Sequence, residues 1–555
     1  MTNTNKNHRF TPIYIAIAVV LGMIIGSMFS HRFTGSRLNI INNTSNKLND
    51  LMCIIEDQYV DTVSVSRIVE QVIPKILAEL DPHSSYINVE EASYQNDDLK
   101  GSFSGIGVQF TIRDDTVYFT TIIKGSPAEK VGLLASDRLI SVDGKPYAGK
   151  NKVSNRETMR LLKGEKGSHV KLGVLRGAAR KPMTFDIIRG DIPVTSISAT
   201  YLLEDKLGYI KVDKFSESTY NELLSSLAQL ESESSSLSGL VVDLRGNGGG
   251  NMAVAIQMIN EFLPKDHLIV YTKGLRMPQN NYTSDGRGSY QKMPIIVLTD
   301  EFSASASEIF AGAIQDNDRG IIIGRRTFGK GLVQQPITFT DGSIINLTVA
   351  RYYTPSGRCV QKPYKSGDDA NYTNDLLTRF EHGEFFSEDS IKQKGEIYKT
   401  SIGRQVYGGG GIMPDVFVPE DTTQITNYFR EVVNSGLVLQ FAFNYTDTHR
   451  ETLAKLASAS AIDKYLRHNH VLEQFIRYCD KEGVKRRNNM IYQSRKLLEK
   501  TLYASIIYNA LDMEQYVKYV NTGDKTLEQA IKLFNEGKTM PTIDTSFQKK
   551  INDNY

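Results

Sequence analysis

Leu240-Val241-Val242-Asp243-Leu244-Arg245-Gly246-Asn247-Gly248-Gly249-Gly250 opens as a short apolar run and ends in a glycine-rich turn. An apolar run of this length without alternation reads as a parallel strand covered on both faces. The turn leads into a helical stretch from Met252 to Leu263. Two further runs follow, Ile295-Ile296-Val297-Leu298-Thr299 and Ile321-Ile322-Ile323-Gly324, with a helical stretch from Ser305 to Gln315 between them. Strand and helix in alternation over residues 191 to 420 predict a layered α/β core around a parallel sheet.

On the N-terminal side the pattern changes. Residues 99 to 190 read as a small, mostly β module. Val117 to Ile123 is a strand, and Ser126-Pro127-Ala128-Glu129-Lys130-Val131-Gly132 is a short helix with a serine cap, a proline at its first position and a closing glycine. Asp137 to Gly144 is a strand entering an Asp-Gly turn, and Val170 to Arg176 and Met183 to Arg189 are two more. Residues 38 to 98 read as helical, with Leu48, Leu51, Ile55 and Tyr59 on one face, then Ile68, Val72 and Ile76. That pattern breaks at Leu80-Asp81-Pro82-His83-Ser84-Ser85-Tyr86, a turn in which His83 reads as a structural histidine rather than a base.

The extreme N-terminus carries seventeen uncharged residues, Ile13 to Phe29, about 25 Å long as a helix. Lys6, His8 and Arg9 precede them. The expectation is an uncleaved signal-anchor, with residues 1 to 12 in the cytoplasm and the rest on the periplasmic side of the inner membrane. A cleaved signal peptide is the alternative. Residues 421 to 555 are helical, with Leu498, Leu502 and Ile506 on one apolar face, and contain no recognisable motif. Their role stays open between capping the site, binding an adaptor and forming homo-oligomers.

Composition narrows the function. A chain of 555 residues predicts three or four domains. A net charge of +2 gives no basis for nucleic-acid binding. Lys485-Arg486-Arg487 reads as a solvated helix end. The three cysteines, Cys53, Cys359 and Cys479, have neither metal spacing nor a disulfide pattern, and the nine histidines form no metal motif. No metal or cofactor is expected.

Four local features carry chemistry. The glycine-rich turn at Asp243 to Gly250 presents backbone N–H groups at a helix start, which suits an anion, but it lacks the lysine and hydroxyl of a phosphate loop. Phe302-Ser303-Ala304-Ser305-Ala306-Ser307-Glu308-Ile309 places a serine at a strand-to-helix turn, with the Ala306 N–H at the helix start able to face an oxyanion. Taken alone, these serines are better read as helix caps. Thr327-Phe328-Gly329-Lys330-Gly331 sets a lysine among apolar residues. Such a lysine acts as a base only when neutral, which takes roughly 4 kcal/mol of differential environment; burial without a carboxylate partner has the right sign. Gln334 can orient the amine without adding charge.

Ser305-Ala306-Ser307-Glu308, twenty-five residues before Lys330 in its glycine setting, resembles the C-terminal processing peptidases, also called tail-specific proteases. Asp81 to Tyr86, Gly105-Ile106-Gly107-Val108, Asp243-Leu244-Arg245 and Gly410-Gly411-Ile412-Met413-Pro414-Asp415 match the same family in order. The resemblance, from about residue 45 to 420, implies a crotonase/Clp-protease-like core with an inserted PDZ-like module. It implies Ser305 as nucleophile, Lys330 as general base and Gln334 as its positioner. It further implies Gly250 and Ala306 as oxyanion donors, and Glu308 and Asp316 as supporting acids. Gly105, Ile106, Gly107 and Val108 would capture the C-terminal carboxylate of a protein substrate beside an added strand. Two rivals share the scaffold: a tail-binding protein that does not cut, and an acyl-CoA enzyme of the crotonase type. The presence of both Ser305 and Lys330 argues against the first. The PDZ-like module and Lys330 argue against the second.

Overall fold

The structure is a computed structural model that describes residues 47–92, 101–113, 115–149, 153–177, 181–204, 206–234, 236–367, 369–391 and 395–543. The chain divides after Ile76 into two compact units. In the first lie the helix Lys47–Gln58 and most of the helix Val65–Ala78.

The core of the second unit is a six-stranded sheet. Its spatial order is Ile197–Glu204, Leu207–Val212, Gly239–Asp243, Ile295–Thr299, Ile321–Gly324 and Val416–Phe417. The first pair is antiparallel and every other pair is parallel. The three apolar runs read from the sequence are its centre, and every residue of Gly239–Asp243, Ile295–Thr299 and Ile321–Gly324 is buried. One face packs on the helices Thr219–Glu233, Met252–Asn260 and Ala306–Asp316, through Leu223, Leu227, Met258, Ile309 and Phe310. The other face is covered by the helix Lys525–Asn535, whose Leu527, Ala530 and Phe534 meet Tyr209, Val241, Leu298 and Ile323.

A second, antiparallel sheet stands beside the first. In it Ser85–Ile87, Ile344–Tyr353, Leu268–Lys273 and Asn280–Thr283 lie in order, and Leu332–Thr338 also pairs with Ile344–Tyr353. Residues 85 to 87 are therefore not helical, because the edge of the Ile344–Tyr353 strand gives their backbone groups a partner.

The β module has the strand order Val108–Arg113, Thr116–Ile122, Arg138–Val142, His169–Leu175 and Met183–Ile188, with the helix Asn155–Leu162 packed on it. The short helix Pro127–Lys130 has Ser126 as its cap, accepting from the Glu129 N–H. Chain entry and exit are neighbours, since Ser102–Gly105 pairs antiparallel with Gly190–Pro193 to form a two-stranded neck.

Residues 427 to 520 form eight helices around their own core, in which Phe475, Ile476, Leu502 and Ile506 are fully buried. All three cysteines are unbridged.

The membrane expectation is corrected. Among the described residues no helix is long and apolar enough to cross a membrane, so the inner-membrane, single-pass placement has no support. Residues 13 to 29, on which it rested, lie outside the described residues.

Candidate active site

The glycine-rich turn and the serine turn are stitched together by Asn247, which is fully buried. Its side-chain N–H donates to the Val212 carbonyl at 3.0 Å, and its side-chain oxygen accepts from the Gly249 N–H at 2.8 Å. Its own carbonyl accepts from the Ala304 N–H at 3.0 Å and from Ser307 Oγ at 2.9 Å. The backbones then touch. A Cβ added to Gly249, whose φ is +105°, would lie 2.7 Å from Ser305 Cβ and 2.8 Å from the Ala304 oxygen. At Gly250, with φ of +138°, it would lie 2.2 Å from the Phe215 oxygen. Glycine is required at both positions by close approach and by backbone conformation. Gly249→Ala is expected to cost about 10²–10³ in kcat, the scale of a lost oxyanion donor. Steady-state peptide cleavage measures this, and a kcat within twofold of wild type would refute it.

The three serines of the turn differ. Ser303 and Ser307 are fully buried and hold the glycine-rich loop, through Ser303 Oγ to the Leu244 carbonyl at 2.8 Å and Ser307 Oγ to Asn247. Ser305 is only half-buried and sits at φ 55°, ψ −113°, a conformation costing a non-glycine residue on the order of 1–3 kcal/mol. It immediately precedes the helix Ala306–Asp316. Among the described residues, neither the Gly250 N–H nor the Ala306 N–H donates to a protein acceptor. Two donors beside Ser305 are thus open to a ligand.

Glu308 ties this turn to the lysine loop. Its carboxylate is fully buried, and one oxygen, Oε2, accepts from the backbone N–H of Ser305 at 2.9 Å and of Lys330 at 2.7 Å. The other, Oε1, accepts from the Gly329 N–H at 2.8 Å and from the Thr327 hydroxyl at 2.6 Å. Burial pushes this carboxyl up to about 7, against the pull of its four donors. Tyr352, also buried, adds a second tie, donating to the Ser305 carbonyl at 3.1 Å and to the Lys330 carbonyl. The sequence carries a signal for the first tie, a serine followed three residues later by glutamate, as in a capping box. For Tyr352 it carries none.

Lys330 makes no ion pair among the described residues. Burial lowers its pKa, and the more distant charges of Glu308 and Asp81 only partly oppose this. Lys330 Nζ donates to Gln334 Oε1 at 3.2 Å, while Gln334 Nε2 donates to the His83 carbonyl. A carbonyl can only accept, so it fixes which end of the amide faces the lysine. The turn holding His83 is itself built on Asp81, which accepts from the N–H groups of His83 and Ser84, both at 2.9 Å, and from Thr348 Oγ1 at 3.0 Å. The His83 ring points elsewhere, at the Tyr372 hydroxyl 2.7 Å away, and its pKa is pushed down to about 4 by burial and by the Lys330 charge. Nearby Lys362 differs from Lys330, because Asp375 sits 3.0 Å from its ammonium.

The remaining expected residues lie elsewhere. Asp316, at the far end of the Ala306–Asp316 helix, pairs with the buried Arg358 at 2.7 Å and accepts from Ser356 Oγ at 2.7 Å. Along that helix it is roughly 16 Å from Ser305. Ile106, Gly107 and Val108 line a cleft of about 340 Å³ between the open edge of Val108–Arg113 and the helix Asn155–Leu162, with Phe103, Met159 and Leu162. Gly105 belongs to the neck. Among the described residues no cluster of His, Cys, Asp or Glu could hold a metal ion.

Comparison with known proteins follows the same division. Residues 206–368 match Peptidase family S41, residues 104–187 match the PDZ domain, and residues 428–512 match a family of unknown function. Fold and matches together define a serine-type peptidase with a PDZ domain. The chain is 35% identical over 318 residues to the carboxy-terminal-processing protease of Bartonella bacilliformis, which spans 57% of this chain and 72% of that protein. It is 34% identical over 314 residues to carboxy-terminal processing protease CtpB of Bacillus subtilis, spanning 56% and 64%. The solved structure of the photosystem II D1 C-terminal processing protease superposes with a TM-score of 0.33 at 25% identity, covering 69% of this chain and 95% of that one. The chain belongs to the carboxy-terminal processing protease family.

Proposed function

We propose that the protein is an endopeptidase that selects protein substrates by their C-terminal tails and cuts them with Ser305 and Lys330. A free tail carboxylate meets the backbone N–H groups of the Gly105 to Val108 loop, and the tail adds as a strand to the open edge of Val108–Arg113. At the cutting site neutral Lys330 takes the proton of Ser305 Oγ as that oxygen attacks the peptide carbonyl. The amide of Gln334, its oxygen turned to the amine, accepts one lysine N–H and leaves the lone pair for Ser305. The Gly250 and Ala306 N–H groups receive the oxyanion, each worth roughly 3–4 kcal/mol. Protonated Lys330 returns its proton to the leaving amine, and water releases the acyl group with the lysine again acting as base. Glu308 and Tyr352 position the two backbones, and Asp316 supports the far end of the helix.

The observation that carries this reading is the single Glu308 oxygen shared by the Ser305 and Lys330 N–H groups, which sets the two residues side by side. Its test is the pH dependence of cleavage of a peptide with a free apolar C-terminus. Protonated lysine is inactive, so the rate is low in acid and rises with pH. Burial lowers the lysine pKa, so the rise centres below the ordinary lysine range. A rate flat from about pH 5 to pH 9 excludes Lys330 as the base.

A further inference from the structure

The helices after residue 427 do not stand apart from the PDZ domain. Tyr508, on the helix Arg495–Ala510, donates its hydroxyl to Gln109 Oε1 at 2.8 Å. Phe443, on the helix Leu437–Thr448, meets Tyr118 edge to face, with centroids 6.1 Å apart. Arg450 donates to the Ala135 carbonyl at 2.7 Å and to Ser136 Oγ at 2.9 Å. Between the two parts lies a cleft of about 730 Å³, lined by Thr111 and Tyr118 from the PDZ sheet and by Leu439, Phe443, Tyr508 and Met513 from the helices. Leu439 is 69% exposed and Met513 41%, an apolar pair left uncovered in the cleft wall.

The position of this cleft follows from strand alternation. On Thr116–Ile122, Val117 and Phe119 point into the PDZ core and are fully buried, so Tyr118 points to the outer face. Thr111 is its cross-strand partner on that same face. The open edge of Val108–Arg113 is where a tail would add, with its carboxylate at the N-terminal end of the strand. Such a tail runs antiparallel to Val108–Arg113, and alternate side chains go to opposite faces. One set enters the cleft with Met159 and Leu162. The other set is turned outward, and in a bare PDZ sheet would meet water. Here the outer face is roofed by the helices. Gln109 lines the tail groove and accepts from Tyr508 of the roofed cleft, so the two spaces adjoin at this bond.

From this adjacency we infer that the helical part reads the tail a second time. Its cleft takes an apolar or aromatic side chain roughly three residues upstream of the C-terminal residue, opposite Thr111 at about 3.4 Å per residue. This rests on the tail reading above and narrows its substrate class. The preferred tails carry two apolar side chains, one at the C-terminus and one on the outward face.

Fluorescence anisotropy on the full chain carrying Ser305→Ala tests this with two labelled octapeptides. Both end in the same free apolar residue and differ by Phe or Ser three positions before it. The Phe peptide is expected to bind about tenfold tighter, and the ratio to fall to about one in a Leu439→Ser, Met513→Ser background, with the Ser peptide unaffected. Both replaced side chains are exposed, so folding is not at stake. Equal affinities in the parent, or a ratio that survives both replacements, would overturn the inference. C-terminally amidated versions report separately on the groove. If amidation leaves binding unchanged, the carboxylate loop is not the tail site, and the inference falls with that reading.

Discussion

Ser305→Ala is expected to remove peptide cleavage, by on the order of 10⁴-fold or more, and Lys330→Ala to do the same. Nucleophile and base act on one proton, so losing either stops the same step. The double variant should therefore be no worse than the single ones. Lys330→Arg is the more telling replacement. It keeps a positive charge and a long side chain, but a guanidinium does not deprotonate in a protein and cannot accept the serine proton. It should be as inactive as Lys330→Ala. Cleavage of a peptide with a free apolar C-terminus provides the measurement. Ser305→Ala at more than a tenth of the wild-type rate would end the serine mechanism, and an active Lys330→Arg would end the lysine one.

Glu308→Gln is expected to damage both stability and turnover, although Glu308 touches no substrate. The carboxylate accepts four hydrogen bonds in a fully buried site. An amide has one accepting end. Its NH₂ would face two donors, either the Ser305 and Lys330 N–H groups or those of Thr327 and Gly329. Leaving two buried donors unpaired costs about 2–6 kcal/mol, a large part of a typical folding free energy of about 5–15 kcal/mol. The expected fall in Tm is roughly 10 °C. The fold that remains would hold serine and lysine less well aligned, and a displacement of about 1 Å costs on the order of 10² in rate. The loss should appear in kcat with KM little changed, because Glu308 lines no part of the tail groove. Calorimetry with steady-state kinetics measures both, and a variant with wild-type Tm and kcat would show that the four bonds position nothing.

What the sequence reveals and what it hides follow physical lines. The central strands are legible because a strand buried on both faces must be apolar throughout, as 240–244, 295–299 and 321–324 are. The PDZ strands are legible through alternation and through the Ser126 cap. The antiparallel sheet is not. Ser85–Ile87 is too short to carry a pattern, and its partners, Asn346 to Ile344, lie some 260 residues away. At the site, Ser305 and Lys330 stand out only through their joint spacing with other motifs. Glu308 has a local signature, read from the sequence as mere support. The His83 carbonyl and Tyr352 act through contacts between distant segments, which no local pattern encodes. Asp316 is a further case. The motif set offers it as a supporting acid, and in the fold its carboxylate pairs with Arg358, a partner no local pattern names.

The helix Lys525–Asn535 bears on how the enzyme comes into being. The six-stranded sheet has its four central strands once residue 324 has been made, yet the face holding Tyr209, Val241, Leu298 and Ile323 stays bare until Leu527 and Phe534 arrive some 200 residues later. During synthesis at about 5–20 residues per second, that interval lasts roughly ten to forty seconds. An apolar surface left open for so long is a natural holding point for a chaperone.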